Sequence, residues 1–411
     1  MLHLLLAADN VFTLSDRTEA RLRAPDPITQ VVALDLDTMV DARAVWTTRK
    51  MTFTLADMPR FTLLDYNGTT RQAALNDGLL AAAEWHSLRT RIRLAEKASY
   101  GQLSFESLSV LPAPGMAPAT PEGQPTPIPT VTEVQQTPQS ILFVSSETSV
   151  DSTVQVRPWA LFTHIAYQLS GGGDSDARQY LPFEQGPLAR ATADFRVAGP
   201  ERDHLLTIAS GSEASFSPTI ASPTGTEVVL AGIEEQWRHR WARRTETLLG
   251  AGYYAVRTRA GTDEPDVLSS SPVAEAAVDR RFVHGTDEGE LRLDVRLAPT
   301  INQLTGLVDE QIRGTIEGKW GHRRMNLRAF ASAGESLNQD TSNSVRLAIA
   351  EIDAAYAVNK WLTVDGGVRG LYQSQNVPTT ATGASSPFVG GTFAQAIVFF
   401  AVNVRALKVR F

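Results

Sequence analysis

Catalysis and metal binding need particular side chains at particular spacings, and this 411-residue chain offers few of them. It has no cysteine, which removes thiol nucleophiles, thiolate-bound zinc, iron–sulfur clusters and disulfides together. The seven histidines (His3, His86, His164, His204, His239, His284 and His322) are scattered, and none stands at the spacing that puts two imidazoles on one helix face. Gly314-x-x-x-Gly318-Lys319 is one residue short of a phosphate-binding loop and lacks the hydroxyl residue that follows the lysine there. Gly171-Gly172-Gly173-Asp174-Ser175-Asp176 offers carboxylates to calcium, but a flexible outer loop is the simpler reading. No Gly-x-Ser-x-Gly element sets up a serine nucleophile. The expectation is a protein with no catalytic residues, no cofactor and no metal.

What does recur is charge at every second position. Arg190, Asp194 and Arg196 alternate with Ala189, Ala191, Ala193, Phe195 and Val197. Arg292, Asp294 and Arg296 lie between Leu291, Leu293, Val295 and Leu297. Arg313, Glu317 and Lys319 alternate with Ile312, Gly314, Ile316, Gly318 and Trp320. Glu351 with Asp353, and Asp365 with Arg369, repeat the pattern, as do Arg17, Glu19, Arg21 and Arg23. A period of two places the charges on one face of a strand and the apolar side chains on the other. A face this charged needs water or a polar plug beside it, because ions facing an apolar void are prohibitively costly. These residues are expected to line a lumen. Arg292, Arg296, Arg313 and Lys319 should form a basic stripe opposed by Glu317, Glu351, Asp353 and Asp365.

The elements that must carry these faces are long strands. Sandwich strands run about 5–6 residues, whereas these alternations often persist for the roughly 9–11 that a tilted membrane strand needs. Connections alternate too. Short, basic ones (Thr48-Arg49-Lys50, Ser87-Leu88-Arg89, Arg243-Arg244, Arg323-Arg324, Asn359-Lys360) interleave with long polar ones at 65–77, 171–186, 261–271 and 376–390. The tryptophans Trp46, Trp85, Trp159, Trp237, Trp241, Trp320 and Trp361 all fall beside the short connections, as an interface girdle would. The fold class expected is all-β: a single transmembrane antiparallel up-and-down barrel with short periplasmic turns and long extracellular loops. Strands run from 13–24 to 391–411. An added strand near 146–157 restores the alternation of turn lengths and brings the count to 18, the even number bacterial barrels require; 16 is the alternative.

Within that frame, residues 1–12 form a lead, with Leu2-His3-Leu4-Leu5-Leu6-Ala7-Ala8 resembling the tail of a signal peptide, and 13–411 form the barrel. Residues 106–145 hold eight of the 22 prolines, so this segment enters neither a ladder nor a helix; parity places it outside the cell. Mean hydropathy is −0.14, which excludes a helical membrane protein but not a barrel whose strands average one apolar and one wet face. A net charge of −7 argues against nucleic acid as a partner. Phe411 at the C-terminus, with Leu407 and Val409 before it, resembles the assembly signal read by the barrel-assembly machinery. Val398, Phe400, Val402 and Val404 hold the other register, which implies a bulge near Ala406.

Several short strings carry a family resemblance: Met58-Pro59-Arg60 within Met51–Leu64, the proline-rich insert before Ser145-Ser146-Glu147-Thr148-Ser149, and Arg157-Pro158-Trp159. With the 18-strand count, the chain resembles the myxobacterial outer-membrane barrels of Wzp type. The resemblance implies a conduit for polysaccharide export across the outer membrane of a Gram-negative-type bacterium, surrounded by outer-membrane lipid and working with a periplasmic polysaccharide-export protein. Two other classes fit the same residues: a general diffusion porin, and a plugged structural or adaptor barrel that anchors a partner.

Overall fold

The computed structural model describes residues 9–24, 32–65, 71–103, 141–156, 159–178, 183–195, 202–219, 224–261, 265–285, 287–301, 308–337, 345–375 and 391–410. Nearly all of them are in strands. In chain order these are β1 (Asp9–Ala24), β2 (Ala33–Thr47), β3 (Met51–Asp57 continued by Arg60–Asp65), β4 (Arg71–His86), β5 (Thr90–Leu103), β6 (Ile141–Val156), β7 (Trp159–Gly172), β8 (Glu184–Phe195), β9 (Asp203–Phe216) and β10 (Thr226–Ala242). There follow β11 (Thr245–Ala260), β12 (Val267–His284), β13 (Asp287–Ile301), β14 (Val308–His322), β15 (Met325–Ser336), β16 (Val345–Ala357), β17 (Leu362–Gln375) and β18 (Gly391–Arg410). A one-turn helix, α1 (Ser175–Arg178), follows β7. Among the described residues no helix is long and apolar enough to cross a membrane.

Each strand pairs antiparallel with the next, and β1 pairs with β18 from Val11↔Arg410 to Ala24↔Ala396. The sheet therefore closes into an 18-stranded barrel and leaves no edge. The two halves of β3 keep one register against β2 (Ala42↔Asp57, Met39↔Arg60) and against β4 (Asp57↔Leu79, Arg60↔Asn76). Only Pro59 interrupts the ladder. It accepts from the Val40 N–H at 3.0 Å but has no N–H to return. The β1–β18 register shifts between Leu14 and Ser15, which pair with Leu407 and Arg405. Ala406 is the extra residue, so the bulge expected from the two conflicting hydrophobic registers is present.

Alternation then separates two faces. Leu22, Leu36, Leu55, Ile165, Ile233, Tyr253, Ile316, Ile352, Val368 and Phe400 are exposed on the outside, while Glu19, Arg23, Asp37, Glu234, Glu351 and Asp365 are buried on the inside. β1 begins and β18 ends at the short-turn end, because Asp9 pairs with Thr47 and Val11 with Arg410. The basic turns fasten neighbouring hairpins there: Arg244 Nη1 donates to the Val283 carbonyl at 3.3 Å and Arg324 Nη1 to the Val358 carbonyl at 3.1 Å. At the opposite rim Arg259 Nε donates to Asp266 at 2.6 Å and holds that carboxyl below its usual range.

The structure corrects several boundaries. β1 begins at Asp9, so residues 9–12 belong to a strand rather than to the lead, whose residues 1–8 lie outside the described residues. β5 ends at Leu103 and β6 begins at Ile141, so 141–145 belong to a strand rather than to the proline-rich insert, whose remaining 104–140 lie outside the described residues. β4 and β12 reach back to Arg71 and Val267, into segments expected to be loops. The ladder continues there through polar residues such as Arg71, Gln72 and Ser269, which have no alternating pattern to reveal them.

Gly318 lies on the outer face, where a Cβ would meet nothing within 4 Å, and Lys319 on the inner face reaches Glu317 at 3.3 Å. Gly318→Arg is expected to impair assembly, since arginine on a lipid-facing wall costs about 2–4 kcal/mol at mid-depth, whereas Lys319→Ala should fold normally. Heat-modifiable gel mobility checks this; equal tolerance of both would reverse the assignment of faces.

Candidate functional site: the charged lining of the barrel

One wall of the interior, from β14 around through β18 to β3, carries a lattice of ion pairs. Glu317 on β14 accepts from Arg328 Nε on β15 at 2.8 Å, and Arg328 Nη1 also reaches Glu351 on β16 at 3.8 Å. Glu351 is held in turn by Arg369 on β17, whose guanidinium stacks over the Phe399 ring at 5.9 Å. Asp365, also on β17, pairs with Arg17 on β1 at 2.9 Å, across the whole width of β18. That reach is possible because the β18 residue opposite both Asp365 and Glu19 is Ala401, which is wholly buried beneath the span. Glu19 then joins Arg17 at 2.9 Å to Arg21 at 2.5 Å, and Arg21 continues to Asp37 on β2 at 2.7 Å. Asp37 also takes Arg60 from β3 and the Thr62 hydroxyl at 3.2 Å. Near the long-loop end of β1, Arg23 Nε donates to Asp35 at 2.5 Å, with both side chains about 2% exposed.

The opposite wall has a smaller knot. Arg296 on β13 reaches Glu234 on β10 at 3.4 Å and Glu275 on β12 at 3.6 Å, and Gln236 Nε2 donates to both carboxylates at 2.6 and 3.0 Å. Toward the long-loop end this wall becomes apolar, with Phe216, Val228, Leu230, Val256, Val273 and Ala298 buried together on the inner face.

The expected lining residues are placed as follows. Arg292, Asp294, Arg296, Arg313, Glu317, Lys319, Glu351, Asp353, Asp365 and Arg369 share the inner face, fixed by the pairings Arg292↔Glu317, Asp294↔Thr315, Arg296↔Arg313, Lys319↔Arg328, Arg328↔Asp353 and Glu351↔Arg369. Arg190 joins the second wall, opposite Ser210 of β9. Asp194 is in β8, opposite Leu206; Arg196 and Phe411 lie outside the described residues. The basic stripe facing an acidic one is not what forms. Lys319 binds Glu317, Arg296 binds Glu234 and Glu275, and Glu351 and Asp365 bind arginines of other strands. Opposite charges on adjacent strands neutralise locally, which costs less than separating them into like-signed columns. Arg328, Asp35, Asp37, Arg60 and Glu275 are members that a search for runs of alternating charge passes over. Each is an isolated charge or short pair in its strand, visible only from the parity of its apolar neighbours, as with Asp35 and Asp37 between Leu34, Leu36 and Thr38.

All seven tryptophans stand at the short-turn end. Trp85, Trp159, Trp237, Trp241, Trp320 and Trp361 are exposed there, and Trp46 pairs with Phe53 beside the 48–50 turn. Histidines fill out the same girdle. His239 stacks on Trp237 at 5.3 Å, meets Trp241 edge-on at 4.5 Å and binds Asp203 at 2.6 Å. His322 stacks on Trp320 at 5.9 Å and pairs with Asp287. Among the described residues no group of three His, Asp or Glu side chains is set to hold a metal.

A closed antiparallel barrel of 18 long strands, apolar outside, charged inside and ringed by tryptophan at its short-turn end, is the architecture of the outer-membrane β-barrels. The chain belongs to the EpsX exopolysaccharide export family, which it matches over residues 5–396. Comparison with curated proteins gives no match. Among solved structures it is similar to the FrpB iron transporter of Neisseria meningitidis in two variants. The F5-1 apoprotein gives a TM-score of 0.53 at 9% identity, with 99% of this chain and 82% of that one covered. The F3-3 variant gives 0.51 at 8% identity, covering 97% and 81%. The copper transporter OprC gives 0.49 at 9% identity, covering 96% and 80%. At these identities the likeness to the FrpB barrels is one of fold alone.

The lattice makes a stability prediction. Asp35→Asn takes from Arg23 the carboxylate it holds in a buried site, a loss of about 3–5 kcal/mol for a broken buried pair. Arg346→Ala removes an exposed partner of Glu335, a change of about 0–1 kcal/mol. Urea titration of the folded, heat-modifiable band should rank the two in that order.

Proposed function

We propose that the barrel spans the bacterial outer membrane and is the conduit through which an exopolysaccharide crosses it. The observation that supports this reading best is the lining itself. A polysaccharide chain presents hydroxyls that both donate and accept, and the inner face offers arginine forks and carboxylates side by side from β14 around to β3. Because most of these charges are already paired with one another, a passing hydroxyl exchanges one satisfied contact for another, which favours sliding over tight capture. Family membership supports the same reading. A periplasmic polysaccharide-export protein is the partner that the short-turn end would meet.

The absence of native cysteine makes the test clean. Arg369→Cys places a single thiol on the inner face, and Val368→Cys places one on the outer face of the same strand. In cells carrying one variant or the other, a bulky maleimide on residue 369 is expected to stop the appearance of exopolysaccharide at the surface, and the same label on residue 368 to leave it unchanged. Continued export past a quantitatively labelled residue 369 would remove the conduit reading.

A further inference from the structure

Near the short-turn mouth, the inner surface between β12 and β16 encloses a hollow of about 550 Å³, within the range of roughly 300–1,000 Å³ typical of small-molecule sites. The side chains that turn into the interior there are Arg281 and Glu290, Lys319, Asn326 and Arg328, and Asp353, with Glu288 at the turn side. The charges cancel, with three cations (Arg281, Lys319, Arg328) against three carboxylates (Glu288, Glu290, Asp353). Two of the cations are engaged with Glu317, at 3.3 Å for Lys319 and 2.8 Å for Arg328. Arg281 reaches Glu290 only at 3.5 Å, and its side chain remains 70% exposed. Asp353 differs from the rest: its Oδ1 is buried and accepts no hydrogen bond, and no ion pair between described residues includes it.

We propose that this hollow is a saccharide subsite at the mouth of the barrel, taking a neutral, hydroxyl-rich pyranose unit of the polymer. The assignment rests on the conduit reading and narrows it to a substrate class. Asp353 is half-buried, and the part of its carboxylate left open to the hollow can accept from a sugar hydroxyl. The exposed Arg281 fork and the Asn326 amide face the same space and can donate to the ring's other oxygens. Donors and acceptors set together with no net charge suit a polyol. A uronic-acid unit would bring a carboxylate toward Asp353, Glu288 and Glu290, whose nearest cations are in part committed to Glu317. A bare cation is not the better occupant, because the described carboxylates here do not converge as a metal-binding group.

The test uses the full-length protein folded in a zwitterionic detergent that has no sugar headgroup, so that it does not depend on transport. Saturation-transfer NMR with maltohexaose, trigalacturonate and a polyethylene glycol of matched length reads binding directly. Maltohexaose should bind, and Asp353→Ala should weaken it about tenfold, the loss of one hydrogen bond to a charged group. Asn326→Ala should weaken it as well, and Glu335→Gln at the far rim should not. Folding of each variant is verified by heat-modifiable mobility. If Asp353→Ala failed to fold, the Asn326→Ala result would decide alone. Tighter binding of trigalacturonate would overturn the neutral class, and equal binding of polyethylene glycol would reduce the hollow to unspecific volume. Unchanged affinity in both alanine variants would overturn the subsite. None of these results touches the conduit, whose fate is decided by the labelled cysteine at position 369.

Discussion

Everything in this molecule depends on one pairing, the ladder between the first strand and the last. A sheet that crosses lipid has no water to satisfy its backbone, so an open edge there is prohibitively costly. The antiparallel register of Asp9–Ala24 against Gly391–Arg410 removes the edge. The bulge at Ala406 is part of how closure succeeds. Val398, Phe400, Val402 and Val404 are outward in one register, Leu407 and Val409 require the other, and one extra residue reconciles them. Pro59 is the one place where a described strand is interrupted, and there the pairing resumes in the same register on both sides.

Closure forces a division of labour between faces, and the charge lattice is its consequence. Once every second residue must turn inward, the interior accumulates arginine and carboxylate at close quarters. The arrangement that costs least is interleaved pairing across strands. Ala401 illustrates how sequence serves that end: a larger side chain on β18 would block Arg17 from Asp365, and the lattice would break into two pieces. Pairs deep in the wall, such as Arg23 with Asp35, are costly to break and add little that an apolar pair would not, so they specify alignment more than stability. Half-exposed pairs, such as Lys319 with Glu317, contribute little energy and remain free to exchange partners. The opposite wall, with one compact Arg296–Glu234–Glu275 knot and an apolar patch above it, gives the lumen two chemically distinct sides.

The architecture was almost wholly legible in the sequence because a period of two is a strong signal when it recurs in strand after strand. The added strand near 146–157, inferred from turn alternation and from the period of two through Val150, Ser152, Val154 and Val156, is β6. What escaped notice did so for physical reasons. Strand ends at Arg71–Asn76 and Val267–Ser271 carry no alternating pattern, and only their pairing with the neighbouring strands shows them to be strand. Partner choice within the lattice depends on which residues sit opposite across two or three strands, as with Arg17 and Asp365, and strand stagger is not written in either strand alone. The apolar patch on the inner face of β9–β13 was invisible because some of its residues alternate with apolar or small ones (Val229, Ala231, Ala255, Ala274) and others with charges (Glu213, Glu227, Arg257), so parity alone does not say which set turns inward.

The central claim is that the interleaved charges line an aqueous passage and set its field. The most direct measurement is ion conductance of the purified, folded barrel in planar bilayers. Comparison is with a variant in which Arg292, Arg296 and Arg313 are all made glutamine. The account predicts a conducting channel whose selectivity moves toward cations when these three positive charges are removed from the lumen, by more at low salt than at high salt, where exposed charges are screened. A correctly folded barrel that stays silent, or a channel whose selectivity ignores all three changes, would contradict it.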